Sequence, residues 1–263
     1  MTRDVPKRID FFIVGAQKAA TTALLQILSR HPRLCCSSPK ELHVFDDDSR
    51  DWCMPAAIDL SMHFPNCPPD LLWGEATPIY MYWPHSIERL AAYNPGARII
   101  VGLRHPAWRA LSHWKMEVIR SRDDMSFSDA IRSLGRARVN PVHRVYSYVE
   151  RGFYAPQIKR ILAHFPRDQV FFYTTEDLFV NESAVVKDLL SFLRVTPDLS
   201  LAGESFVVPV DTTGLEIDAR DEIIYLSALF AGDIQETMDL TDLDLRSWLD
   251  PDYAEGYFHR SLH

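Results

Sequence analysis

Two short stretches of the 263-residue chain hold the residue types that an anion site requires. The first is Gly15-Ala16-Gln17-Lys18-Ala19-Ala20-Thr21-Thr22, after an apolar run and before helical periodicity. Small side chains let backbone N–H groups approach an anion, the start of a helix adds partial positive charge, and Lys18 adds a full one. The lysine stands three residues after Gly15 and three before Thr21. The stretch is therefore not a Walker A loop, which ends in Gly-Lys-Ser/Thr. An ordinary strand-to-helix turn with Thr21 as N-cap reads the same way. The second stretch is Arg104-His105-Pro106, followed by Ala107-Trp108-Arg109-Ala110-Leu111-Ser112. Pro106 suits a first helical turn, and Arg109 and Ser112, three apart, share a face. Arg104 offers a charged fork and Ser112 a hydroxyl to a second phosphate. The plainer reading is a surface arginine and a helical serine. Taken together, the two stretches suggest a nucleotide phosphorylated at two places.

The elements that must position them follow from periodicity. Apolar runs bounded by turn residues predict strands at Asp10–Val14, Leu71–Gly74, Arg98–Leu103 and Gln169–Thr174. Helical spacing predicts helices at Thr21–Arg30, Pro84–Ala92, Ala107–Arg120, Phe127–Leu134, Val145–Phe165, Ala184–Leu193 and Arg220–Phe230. Strands alternating with helices imply an α/β fold: a single domain with a mainly parallel sheet flanked by helices. Ligands on such sheets bind beyond the carboxyl ends of the strands, where both stretches fall.

Composition narrows the function classes. Hydrophobic residues make up 47% and charged residues 24%, which excludes wholesale disorder. The net charge of −8 is unevenly spread: residues 1–200 carry a net +3 and residues 201–263 a net −11. A nucleic-acid partner is not expected, and an anion site must be local to the first 200 residues. No apolar run approaches the roughly 20 residues of a membrane span, and Phe11–Val14 is too short for a signal-peptide core. A cytoplasmic chain is the simplest expectation, although an excised domain of an anchored protein reads alike. Cys35, Cys36, Cys53 and Cys67 fit neither a zinc ribbon nor a disulfide framework, so reduced thiols are expected.

The pairing of Gly15–Thr22 with Arg104–Ser112 resembles the sulfotransferases that use 3′-phosphoadenosine 5′-phosphosulfate (PAPS). Within them it is most similar to the heparan sulfate sulfotransferases and their bacterial relatives, which implies a P-loop-NTPase-like α/β fold in agreement with the strand–helix order. Further matching stretches are Trp73–Tyr80, Arg151–Gln157 and Glu176–Leu178, so the resemblance covers roughly residues 9–200. It implies that Gln17, Lys18, Ala19, Ala20, Thr21 and Thr22 bind the 5′-phosphosulfate, with Lys18 steadying the leaving phosphate. It further implies that Arg104 and Ser112 hold the 3′-phosphate and that Tyr154 lies in the cofactor site. The product would be 3′-phosphoadenosine 5′-phosphate (PAP). A lysine and a helix N-terminus stabilise the charge that grows on the leaving oxygen.

The same resemblance makes Glu41, in Lys40-Glu41-Leu42-His43-Val44-Phe45, the general base, with His43 at a second polar position. By residue type alone, Glu41 reads as a solvated loop acid and His43 as a hydrogen-bonding residue. Asp46-Asp47-Asp48 reads as a solvated face, and no metal is expected. Trp52, Tyr80, Tyr82, Trp83, Trp114 and Tyr154 lie near the motifs; some could stack on adenine, but most should be core.

Three departures from the family pattern stand out. Ala19 or Ala20 replaces a turn glycine, at a cost if φ is positive. Ala76 replaces a lysine. The stretch 209–220 has one basic residue where relatives carry a basic closing loop, so Thr213, Gly214 and Arg220 receive no role. Leu243–Leu249 reads as packing. Residues 201–263 form an acidic, helical C-terminal region that is a candidate lid. Its charge favours a neutral or cationic small-molecule acceptor over a polyanionic glycan. Two other classes remain open: a P-loop-like nucleotide kinase or phosphotransferase, and a non-catalytic nucleotide-binding protein.

Overall fold

The computed structural model describes residues 6–198 and 217–256. Five strands form one sheet: β1 (Phe11–Gly15), β2 (Leu34–Cys36), β3 (Leu72–Ala76), β4 (Arg98–Leu103) and β5 (Val170–Thr174). Their spatial order is β2-β3-β1-β4-β5 and every pairing is parallel. From β1 the chain runs to the edge strand β2, returns to β3 beside β1, and then crosses to β4 and β5 on the other side, so β1 lies at the switch point where such sheets receive ligands. The expected α/β parallel sheet is thus present. Strand β2 was missed because three residues give no readable period.

Nine α-helices join the strands among the described residues: α1 (Thr21–Ser29), α2 (Ser86–Tyr93), α3 (Pro106–Ile119), α4 (Phe127–Ala130), α5 (Ser133–Arg136), α6 (Tyr154–His164), α7 (Thr175–Val180), α8 (Glu182–Phe192) and α9 (Arg220–Thr241). Four departures from expectation go beyond end residues, the first being α7, where no helix is expected. The helix expected over 127–134 is two single turns, α4 and α5. The one expected over 145–165 begins only at Tyr154, after a short 3-10 turn at Glu150–Gly152. Gly152 lies in that turn against the ring of Phe230, where a Cβ would sit 2.5 Å from its Cζ. Helix α9 runs eleven residues past its expected end, through Gly232, which costs a helix only about 1 kcal/mol.

The chain packs as two compact units. One comprises Met1–Ala16, Ala20–Leu103 and Arg160–Phe206; the other comprises Gln17–Ala19, Arg104–Lys159 and Val207–His263. In the first, alternate residues of β1 feed two apolar layers. Phe11 and Ile13 pack with Leu24 and Leu28 of α1 and with Val186, Leu189 and Leu190 of α8. Phe12 meets Phe45 and Tyr93 edge to face at 5.6 and 6.3 Å. In the second unit Trp114 packs on Phe127 (5.4 Å) and Phe153 on Phe230 (4.9 Å). The expectation that most motif aromatics are core holds for Tyr80, Tyr82, Trp114 and Tyr154, all buried. Trp248, in the Leu243–Leu249 stretch, is buried as expected. Of the stretch 209–220, residues up to 216, including Thr213 and Gly214, lie outside the described residues. Arg220 opens α9 with its side chain exposed.

The expectation of four reduced thiols is corrected. Cys35 and Cys67 form a disulfide, their Cα atoms 6.0 Å apart, while Cys36 and Cys53 remain thiols. Sheet pairing brings the two together: Cys35 lies in register with Trp73, whose indole N–H donates to the carbonyl of Pro68 at 3.3 Å. Sequence spacing could not reveal this, because the pairing depends on β2 lying beside β3. The bridge spans 32 residues, and a loop of that length stabilises a fold by about 3–4 kcal/mol in the chain-entropy account. Thiol titration of the unfolded, unreduced protein should find two reactive groups, and Cys67→Ser should lower the denaturant midpoint. Four reactive groups before any reductant is added would refute the pairing.

Candidate functional site

The turn after β1 has the geometry of a cradle. Lys18 and Ala20 hold positive φ, 74° and 56°, the left-handed region that a side chain enters only at a cost. Ala20, not Thr21, is the N-cap of α1, with no side-chain cap; Thr21 is the first helical residue. This corrects the plain reading of Thr21 as a cap. The first N–H groups of α1 have no capping side chain, a helix start of the kind that binds anions. Ala19 and Thr21 are buried, while Ala20 and Thr22 are half-buried.

Around this turn the second unit gathers positive charge. The half-buried Lys18 points its Nζ at the Met116 sulfur of α3, 3.7 Å away. Burial first, then the cations Arg104, Arg120 and Arg109, push its pKa down to about 8, with Glu117 opposing. Arg104 donates from Nη1 to the Lys18 carbonyl at 3.2 Å. Gln17 accepts from the guanidinium of the buried Arg151, which also donates to the Arg144 carbonyl at 2.8 Å. Arg109 is fully buried and donates to the Tyr148 carbonyl. His113, also fully buried, lies 3.7 Å from Glu117. Burial and the neighbouring cations hold His113 well below the usual imidazole range, so it adds no charge. Ser112 is half-buried on the same helix.

Arg104 is itself held from three sides. The hydroxyl of the fully buried Tyr154 donates to the Arg104 carbonyl at 2.7 Å. Tyr154 starts α6, where Asp233 of α9 accepts from the N–H groups of Tyr154 and Ala155 at 2.7 and 3.1 Å. A carboxylate there satisfies open helix donors and complements the helix dipole. Glu255 takes the side chain: the Arg104 Nε lies 2.9 and 3.0 Å from its two carboxylate oxygens. Sequence reasoning missed Asp233 and Glu255, and gave Arg151, although part of a matching stretch, no role. Their sequence distance from the turn, 134 residues between Gln17 and Arg151 and 151 between Arg104 and Glu255, leaves no local signal.

The proposed base loop belongs to the first unit. Glu41 and His43 both hold positive φ, 61° and 52°, so the segment is tightly folded. Glu41 Oε1 is 2.6 Å from Lys40 Nζ, and its Oε2 is 3.7 Å from His43 Nε2. His43, backed up by Lys40, holds the Glu41 carboxyl down to about 2. The Asp46 carboxylate, 2.9 Å from His43 Nδ1, raises His43 to about 9, with Glu41 assisting. Asp46 is fully buried, which corrects the expectation that Asp46–Asp48 form a solvated face; Asp48 alone of the three is exposed. The i, i+3 spacing from His43 was the signal that could have found it. No group of three or more metal-ligating residues is present among the described residues.

A buried polar network holds this loop. Tyr80, fully buried, accepts from the N–H groups of Val44 and Phe45 at 3.1 and 3.5 Å. Glu75, also fully buried, accepts from Leu42 N–H at 3.2 Å and from the Thr77 hydroxyl. Glu41 N–H donates to the carbonyl of Ala76 at 3.2 Å, so Ala76 contributes backbone to the loop. Burial pushes Glu75 up to about 7.

Comparison with known proteins follows the same lines. Residues 8–205 match the model of the sulfotransferase domain. Heparan sulfate glucosamine 3-O-sulfotransferase 6 of Mus musculus is 30% identical over 198 residues, covering 71% of this chain and 53% of its own length. The bifunctional heparan sulfate N-deacetylase/N-sulfotransferase 3 of Homo sapiens is 29% identical over 204 residues, covering 71% of this chain and 22% of its own length. The chain thus spans about half or less of the length of these relatives. The crystal structure of a sulfotransferase from Alicyclobacillus acidocaldarius superposes with a TM-score of 0.75 at 31% identity, covering 92% of this chain and 99% of that one.

Glu75 generates a prediction that does not depend on activity. An exposed glutamate ionises near pH 4, whereas buried Glu75 keeps its proton until about pH 7. Between these values the folded state binds more protons than the unfolded one, so this group's contribution to stability falls as pH rises through that window. Glu75→Gln should gain stability relative to the parent between pH 5 and pH 8, read from urea midpoints. A pH-independent difference would contradict it.

Proposed function

The chain belongs to the sulfotransferase domain family, and from that premise we propose that it moves the sulfuryl group of PAPS to a hydroxyl or amine of a small-molecule or carbohydrate acceptor. The observation that carries this reading is the Lys18 turn, where left-handed backbone, a helix start and a half-buried lysine converge. Its surplus of cations fits an anionic donor. Bound PAPS supplies an activated sulfuryl group with a phosphate as leaving group. In this reading the Lys18 ammonium and the first N–H groups of α1 stabilise charge developing on that phosphate. Arg104, with Ser112, is the candidate for the 3′-phosphate. Tyr154 serves the site through the backbone of Arg104 rather than through an exposed ring.

Glu41 takes the acceptor's proton in this scheme. Its low pKa keeps it ionised at neutral pH but makes it a weak base while Lys40 and His43 hold it. An acceptor group that displaces these partners restores its basicity as the proton moves. His43, charged at neutral pH and fixed by Asp46, offsets the anionic loop. The acidic last 63 residues favour a neutral or cationic acceptor over heparan-like chains. A cytoplasmic setting belongs to this reading, although the Cys35–Cys67 disulfide weighs against it because cytosolic thiols are kept reduced.

The reaction is tested by incubating the protein with PAPS and a panel of acceptors, following sulfuryl gain by mass spectrometry. Glu41→Gln should bind PAP as the parent does and lose at least about a hundredfold in turnover, within the usual range for a lost general base. Phosphoryl transfer from ATP with magnesium, without any response to PAPS, would point instead to a kinase. Efficient sulfation of heparan chains would overturn the charge argument.

Lys18 adds a pH signature. Its ammonium is lost as pH rises through about 8, whereas phosphate second ionisation, near pH 6, is complete by then. Affinity for PAP should therefore fall between pH 7 and pH 9 in the parent and stay level in Lys18→Arg. A parallel decline in both would remove Lys18 from the site.

A further inference from the structure

The acid that Arg104 carries is unexpected for a residue assigned to a phosphate. An arginine presents a fork along its Nε and Nη2 edge that matches two oxygens of a phosphate or a carboxylate. In this chain Glu255 fills that edge. Arg104 Nε contacts both of its oxygens at 2.9 and 3.0 Å, and Nη2 contacts one at 2.5 Å. The pair is nearly sealed, with 11% of the Arg104 side chain and 4% of the Glu255 side chain exposed. Nη1 meanwhile holds the Lys18 carbonyl, so the guanidinium cannot turn away from Glu255 without leaving the turn.

The tail that delivers Glu255 is docked, not incidental. His105, the next residue after Arg104, is fully buried, and its Nε2 lies 3.1 Å from the Trp248 carbonyl. Tyr253 stacks flat on the same ring, 4.8 Å between centroids and 11° between planes. Two residues on, Glu255 reaches Arg104. Burial pulls His105 down to about 4, so at neutral pH it stays uncharged and does not compete for the carboxylate. A carboxylate tethered this way acts at high effective concentration.

We propose that Glu255 is a specificity-determining residue that competes with the donor's 3′-phosphate for the Arg104 fork, and so lowers the preference for 3′-phosphorylated over plain adenosine nucleotides. The inference rests on the proposed PAPS site. A 3′-phosphate must displace Glu255 before Arg104 can grip it, whereas a nucleotide without that group binds at the Lys18 turn with the ion pair intact.

The test is calorimetry of the parent, Glu255→Gln and Glu255→Asp with two probes, PAP and adenosine 5′-phosphate. Glu255→Gln should bind PAP about tenfold tighter, the scale of one charge-assisted hydrogen bond, and adenosine 5′-phosphate no differently. Glu255→Asp keeps the charge and should stay close to the parent. Thermal melts of each variant confirm that the tail change leaves the fold intact. Weaker or unchanged PAP binding by Glu255→Gln would overturn the proposal, the weaker result making Glu255 a residue that orients Arg104 for the phosphate. An equal gain for both probes would also overturn it, leaving only a general charge effect. Failure of both probes on every protein would instead refute the nucleotide site itself.

Discussion

The second unit depends on how one guanidinium is shared. Arg104 leaves β4 and at once binds the carbonyl of Lys18. That contact ties the turn after β1 to the segment after β4, two stretches 86 residues apart in the chain. A turn with left-handed φ at Lys18 and Ala20 is intrinsically costly, and only surrounding contacts keep such a backbone in place. Tyr154 fixes the backbone of Arg104, Asp233 fixes Tyr154, and Glu255 fixes the side chain. Long-range polar contacts thus hold a local strain in the turn.

The first unit solves a similar problem with buried acids and hydroxyls. The loop from Glu41 to Asp46 also contains two left-handed residues, and it has no helix or strand of its own. Its backbone donors are satisfied by Glu75 and Tyr80, both fully buried. Unpaired buried N–H groups would cost roughly 1–3 kcal/mol each, which is why a glutamate is tolerated where burial disfavours its charge. Glu41 and His43 are exposed, while Asp46 turns inward and meets His43.

Charge is distributed with the same economy. Burial, and then the neighbouring cations, lower the pKa of Lys18. His113, among those cations, stays neutral, and Glu117 supplies a partial counter-charge. The acidity that dominates the last 63 residues is not only solvated surface: two of those acids, Asp233 and Glu255, enter the Arg104 assembly.

The sequence by itself determined what depends on neighbours in the chain. Apolar runs and helical spacing are local, so four of the five strands, the Lys18 turn and the α3 motif could be read directly, and with them the family resemblance. Tertiary structure decided whatever depends on contact between distant segments. Strand β2 exists because it lies against β3, and the Cys35–Cys67 bridge follows from that pairing. The burial of Asp46 beside His43 is likewise a product of the fold. The occupant of the Arg104 fork is a glutamate 151 residues away. A carboxylate's partner is chosen by proximity in space, and no spacing in a linear chain encodes that.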